Sequence, residues 1–134
     1  MLKKLRVLLT AVGCPGGVTM IQALKANGER EIEIIGTDMR KEAAGRFFVD
    51  RFYTVPAGDS AGFVPRMLEI VRREQPDLVF PQSSFEILPL ARHRAEFEAE
   101  GVPVIVANPD VVETAGDKWL TYETLEGSGV PRPR

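Results

Sequence analysis

Short apolar runs alternate with longer stretches in which apolar residues recur every three or four positions. Leu5 to Thr10 is a branched-rich run that stops at Gly13, the pattern of a strand buried on both faces. Val18, Ile21, Ala23 and Leu24 then fit a helix that stops near Asn27-Gly28. Ile32 to Thr37 predicts a second strand. Lys41 to Asp50 leaves room for a short helix, and Phe52 to Val55 predicts a third strand closed by Pro56. Asp59 or Ser60 is placed to cap a helix carrying Phe63, Met67, Ile70 and Val71 on one side, with Pro65 near its first turn. Pro76 sets the end of that helix near Gln75. Leu78-Val79-Phe80 predicts a fourth strand, and Ser84 to Glu100 a helix that runs through Pro89 and stops at Gly101. Pro103 to Ala107 predicts a fifth strand, Asn108-Pro109 a turn or short helix, and Asp117 to Ser128 a last helix ended by Gly129.

Strands separated by helices imply a parallel sheet covered on both faces, and right-handed crossovers wind it doubly. The expected fold class is α/β: a three-layer αβα, Rossmann-like domain around a mainly parallel five-stranded sheet. The 134 residues accommodate one such domain. With 44% hydrophobic and 27% charged residues, the chain has the composition of an ordinary globular protein. Its net charge of −2 comes from interspersed acids and bases, which argues against a nucleic-acid partner. No apolar run approaches the ~18 residues of a membrane span. Arg6 interrupts the first apolar stretch, so a buried strand fits that stretch better than a signal peptide. A single cysteine excludes an internal disulfide. A cytoplasmic location is the resulting expectation.

Gly13-Cys14-Pro15-Gly16-Gly17 joins the first strand to the first helix, at the sheet edge where ligands of such folds collect. Gly13, Gly16 and Gly17 let a backbone approach a ligand, and Asp38 follows the second strand where dinucleotide-binding folds place a ribose-binding acid. The dinucleotide fingerprint G-x-G-x-x-G would need glycine at Pro15, and the loop lacks the lysine of a phosphate-binding P-loop. Three readings stay open for the loop: tight packing of helix on sheet, contact with a substrate, and binding of a nicotinamide or flavin cofactor. Ser83, Ser84 and Glu86 follow the fourth strand on the same edge and are candidates for a substrate cleft, with helix capping the alternative for either serine. Cys14 lacks a base partner, because the one histidine, His93, sits in Arg92-His93-Arg94. No Cys/His cluster has metal-ligand spacing, so neither a catalytic residue nor a metal ligand is expected here.

The carboxy-terminal segment is the most specific. Asp117-Lys118, Leu125 near the end of the helix, and Gly129-Val130-Pro131-Arg132-Pro133 resemble the junction of ATP-grasp ligases between a Rossmann-like domain and the nucleotide-binding domains. Within that superfamily the chain resembles the carbamoyl-phosphate-synthase large-subunit-like group. The resemblance makes residues 1–115 a pre-ATP-grasp domain and residues 116–134 a junction helix and proline-containing linker toward an ATP-grasp domain. It implies an enzyme that activates a small carboxylate as an acyl phosphate for attack by an amine, with ATP and Mg2+ as cofactors of the parent enzyme. Lys118 would then reach the nucleotide phosphates, while Asp117 caps its helix. The implied partner is an ATP-grasp domain on the same or a companion chain. Without it the chain would bind no cofactor tightly and catalyse nothing. Trp119 and Tyr122 would pack on the domain or on that partner, and an uncovered apolar surface there would let two copies associate as a homodimer. A non-catalytic small-molecule-binding α/β module remains an alternative from a different class.

Overall fold

Four of the apolar runs form strands in the computed structural model, which describes residues 2–131. They are β1 (Leu5–Leu9), β2 (Ile32–Asp38), β3 (Arg51–Thr54) and β4 (Leu78–Phe80), all parallel, in the order β3-β2-β1-β4. Between them lie α1 (Gly17–Lys25), a 3-10 turn (Ala44–Phe48) and α2 (Phe63–Glu74). After β4 come α3 (Ser84–Arg92), α4 (Arg94–Ala99), α5 (Pro109–Gly116) and α6 (Lys118–Gly127). The chain winds outward from β1 to β3 and returns to place β4 on the other side of β1. The switch point therefore falls between β1 and β4, where open α/β sheets hold ligands beyond the strand carboxyl ends.

Strand alternation divides the core. Val7, Leu9 and Ile34 face one side and pack with Val12, Ile21 and Ala43 under α1 and the 3-10 turn. Leu8, Ile35 and Val79 face the other side and meet Phe63, Met67, Leu90 and Phe97 of α2, α3 and α4. Phe63 and Phe97 are fully buried. The opposite end of the sheet is closed by charge: Arg6 donates to the Glu74 carbonyl at 2.6 Å, and Arg51 and Tyr53 both bond the Glu74 carboxylate. Burial alone would raise the Glu74 pKa, but the Tyr53 hydroxyl and the Arg51 guanidinium hold it below the usual carboxylate range.

The doubly wound parallel sheet is the expected architecture, with one strand fewer. Val79 N–H donates to Pro103 O and Ile105 N–H to Val79 O, each at 2.9 Å, so Val104 forms a single parallel bridge beside β4. The ladder stops there because Val106 N–H turns back to Val104 O at 3.0 Å and β4 itself ends at Phe80, before Pro81. Three other boundaries move. The helix expected over Ser84 to Glu100 breaks at His93, which turns α4 so that Phe97 enters the core with Leu90. Gly62, not Asp59 or Ser60, occupies the cap position of α2, and Ser60 instead accepts the Gly62 N–H at 3.3 Å in the preceding turn. The ambiguous segment after β2 becomes the 3-10 turn.

Candidate functional site

A cleft of about 480 Å3 opens beyond the carboxyl ends of β1, β2 and β4. Its walls come from the loop after β1 (Ala11, Gly13, Cys14, Pro15), from Asp38 to Arg40, from Ala57 to Asp59, and from Ser83, Phe85 and Glu86. The backbone around it is under constraint. Ala11 has φ +49°, a left-handed conformation that costs a non-glycine residue on the order of 1 kcal/mol and tends to be kept where function holds it. Asp38 ties the loop to β2: its carboxylate accepts Gly13 N–H at 2.8 Å and Arg40 N–H at 2.9 Å.

The three loop glycines differ in role. A Cβ on Gly13 would lie 2.8 Å from the Ala43 Cβ and 2.9 Å from the Asp38 carboxylate, and one on Gly17 would lie 2.2 Å from the Val12 carbonyl. Close packing therefore requires both positions to be glycine. A Cβ on Gly16 would meet nothing within 4 Å, and neither Gly16 nor Gly17 lines the cleft. Gly13, Asp38, Ser83 and Glu86 come together there; Ser84 does not, facing a second groove instead.

Glu86 forms the floor. Its side chain is buried, and Thr10, itself fully buried, donates its hydroxyl to the carboxylate at 2.5 Å. Ser83 caps α3 by accepting the Phe85 N–H at 3.4 Å. Three residues on from that cap, Glu86 has the position of a capping-box acid but turns its carboxylate inward to Thr10. Burial pushes the Glu86 carboxyl up to about 7, the Thr10 hydrogen bond opposes that rise, and the nearby Asp38 charge adds to it. A group poised there changes charge across neutral pH, as acid–base and ligand-binding residues commonly do. Sequence reasoning passed over Thr10, Gln82 and Phe85. A signal for Thr10 existed: it is the polar residue that ends an otherwise apolar strand run.

Cys14 lines the cleft and His93 does not. His93 lies between α3 and α4, its Nδ1 2.6 Å from Glu96, so the described residues bring no histidine to the cysteine. Among the described residues no group of side chains is arranged to hold a metal ion, and no helix is long and apolar enough to cross a membrane.

Outside the cleft, α6 packs on α5 and α5 on α3, and none of the residues of α5 or α6 is buried. Asp117 caps α6 by accepting Trp119 N–H at 2.8 Å and Leu120 N–H at 3.0 Å. Lys118 opens the helix, exposed and, among the described residues, without an ion pair; it does not line the cleft. Trp119 is 67% exposed, so it does not pack on the α/β body. An apolar groove of about 780 Å3 runs beside it, lined by Ser84, Ile87, Ile105, Val106, Val111 and Leu120 among others. Of the junction, Arg132, Pro133 and Arg134 lie outside the described residues.

Comparison with known proteins places this geometry in context. Residues 7–105 match the family described as PylC-like, N-terminal domain. Among solved structures, the chain is similar to glycinamide-RNase-transformylase T from Mycobacterium tuberculosis, with 18% identity and a TM-score of 0.70 over 96% of this chain and 37% of that one. It is similar to the biotin carboxylase domain dimer of Hydrogenobacter thermophilus 2-oxoglutarate carboxylase, solved with MgADP, ADP and bicarbonate, with 20% identity and a TM-score of 0.66 over 97% and 29%. It is also similar to N5-carboxyaminoimidazole synthetase from Staphylococcus aureus, solved with ADP, with 13% identity and a TM-score of 0.64 over 93% and 30%. The shared fold is that of the amino-terminal domains of ATP-grasp enzymes, and the chain spans 29–37% of the length of these three. No curated protein sequence matches the chain.

Proposed function

The chain belongs to the PylC-like N-terminal domain family, and on that premise we propose that it is the amino-terminal domain of an ATP-dependent carboxylate–amine ligase of the carbamoyl-phosphate-synthase-like kind. In this reading the cleft built by Gly13, Asp38, Ser83 and Glu86 takes part of the substrate. Lys118 neutralises nucleotide phosphate charge, and ATP with Mg2+ binds mainly in an ATP-grasp body on the same or a companion chain. Phosphoryl transfer depends on positioning by all of those parts, so this chain alone is inactive and holds no nucleotide tightly. The reading places the protein in the cytoplasm.

The observation that carries it is the state of α6: a capped helix opening on an exposed lysine, beside an apolar groove that the α/β body leaves uncovered. A helix that the domain does not bury is a surface offered to another body. The dinucleotide alternative is disfavoured by the loop itself, which has Pro15 where the dinucleotide fingerprint needs glycine. The test is incubation with Mg-ATP and a panel of small carboxylates, read as phosphate release. No multiple turnover is expected, and sustained turnover overturns the reading. Tight binding in a parallel NAD(H) titration would move the assignment to a dinucleotide-binding domain.

A further inference from the structure

Thr10 is fully buried just past the end of β1, and its hydroxyl both accepts and donates a hydrogen bond. It accepts the Gln82 backbone N–H at 3.2 Å and donates to Glu86 at 2.5 Å. The Gln82 side chain returns to the same residue, donating from Nε2 to the Thr10 carbonyl at 3.0 Å. Two strand ends on either side of the switch point, β1 and β4, are thereby locked to each other and to the first turn of α3. A hydroxyl has one proton. With an N–H already pointed at its oxygen, that proton is directed toward the carboxylate.

We propose that Thr10 is a positioning residue of the cleft: oriented by Gln82, its hydroxyl fixes the Glu86 carboxyl at the floor and sets the charge that a ligand meets there. This rests on the reading of the cleft as the ligand site. The charged and titratable groups that line the cleft with Glu86 are Cys14 from the loop after β1, Asp38 and Arg40 at and after the end of β2, and Asp59 from the loop before α2, and of these Asp38 acts on its charge. Thr10 is the one neighbour whose hydrogen bond favours the ionised form, against burial and against Asp38. Losing it leaves the carboxyl neutral through a wider pH range, and the cleft loses part of its negative charge at neutrality.

The experiment is a carbon-13 carboxyl NMR titration of the chain, with backbone amides followed in parallel. In the wild type the Glu86 carboxyl is expected to titrate at about 7, with the Gln82 amide moving at the same midpoint. Thr10→Val should raise the midpoint by about one pH unit or more, because only the hydrogen bond to the ionised form is removed. Thr10→Ser should restore it, and Asp38→Asn should lower it. An unchanged midpoint in Thr10→Val overturns the proposal, as does a Gln82 amide that stays still while Glu86 titrates. If Thr10→Val fails to fold, the wild-type Gln82 response and Thr10→Ser decide the matter. The titration requires neither nucleotide nor substrate, so its failure is distinct from failure of the ligase reading, which phosphate release tests.

Discussion

The sheet body and the α5–α6 arm stand in opposite relations to water. In the body, β1, β2 and β4 send alternate residues into two clusters, and Leu8, Leu9, Ile34, Ile35, Phe63 and Phe97 are wholly buried. In the arm, the helices carry Val111, Trp119 and Leu120 at 51%, 67% and 43% exposure and contain no fully buried residue. Local signals make both sets of elements: a serine or aspartate cap starts α3 and α6 alike. What separates them is tertiary burial, which supplies most of a helix's stability in water. The body buries its own apolar residues, whereas the arm leaves Val111, Trp119 and Leu120 exposed, which the proposed reading assigns to contact with another body.

Substitutions in the two regions sharpen that contrast. Phe97→Ala should cost the most, ~3–5 kcal/mol, because a fully buried ring leaves a cavity between α4 and the sheet; denaturant midpoints would read it. Gly17→Ala comes next at ~1–3 kcal/mol, since its Cβ would press on the Val12 carbonyl at 2.2 Å and displace the cleft loop. Glu86→Gln should act through pH. The native carboxyl binds its proton more tightly than the unfolded one, so its contribution to stability is complete below its ordinary value of 4.5 and is lost as pH rises to about 7. Over that window the wild type should lose on the order of 2–3 kcal/mol from this group, and Glu86→Gln should flatten the profile. Glu33 and Glu74 have the opposite sign: their pKa values are lowered, so their contribution is lost as pH falls below the ordinary carboxylate range. Trp119→Ala should be smallest, within ~0.5 kcal/mol, because the ring contributes little burial to this chain. A large loss there would mean that the arm is part of the folding unit.

The parts of the fold legible in the sequence were those written in local periodicity. The strands at Leu5 and Ile32, the helix around Phe63, and the Asp117 cap all follow from spacing or from one side chain bonding its own helix start. What escaped depends on contacts distant in sequence. The strand expected at Pro103 shrinks to one bridge because its neighbour β4 is only three residues long and Val106 turns back on Val104. The site divides in the same way. Topology alone sends Gly13, Asp38, Ser83 and Glu86 to one sheet edge. The Thr10–Glu86 bond spans 76 residues of sequence, and no local pattern marks it. For Gly16 and Gly17 the sequence left helix packing and ligand contact both open; a Cβ on Gly17 would lie 2.2 Å from the Val12 carbonyl, and neither glycine lines the cleft.

The central claim, a self-sufficient site-bearing body with an arm awaiting a partner, is tested most directly by native-state hydrogen exchange on the chain. Amides of β1, β2 and β4 should exchange only through global unfolding, while those of α6 exchange through local opening at a far smaller free energy. Protection of α6 equal to that of the strands would contradict it, because the arm would then be held by the domain it is said merely to adjoin.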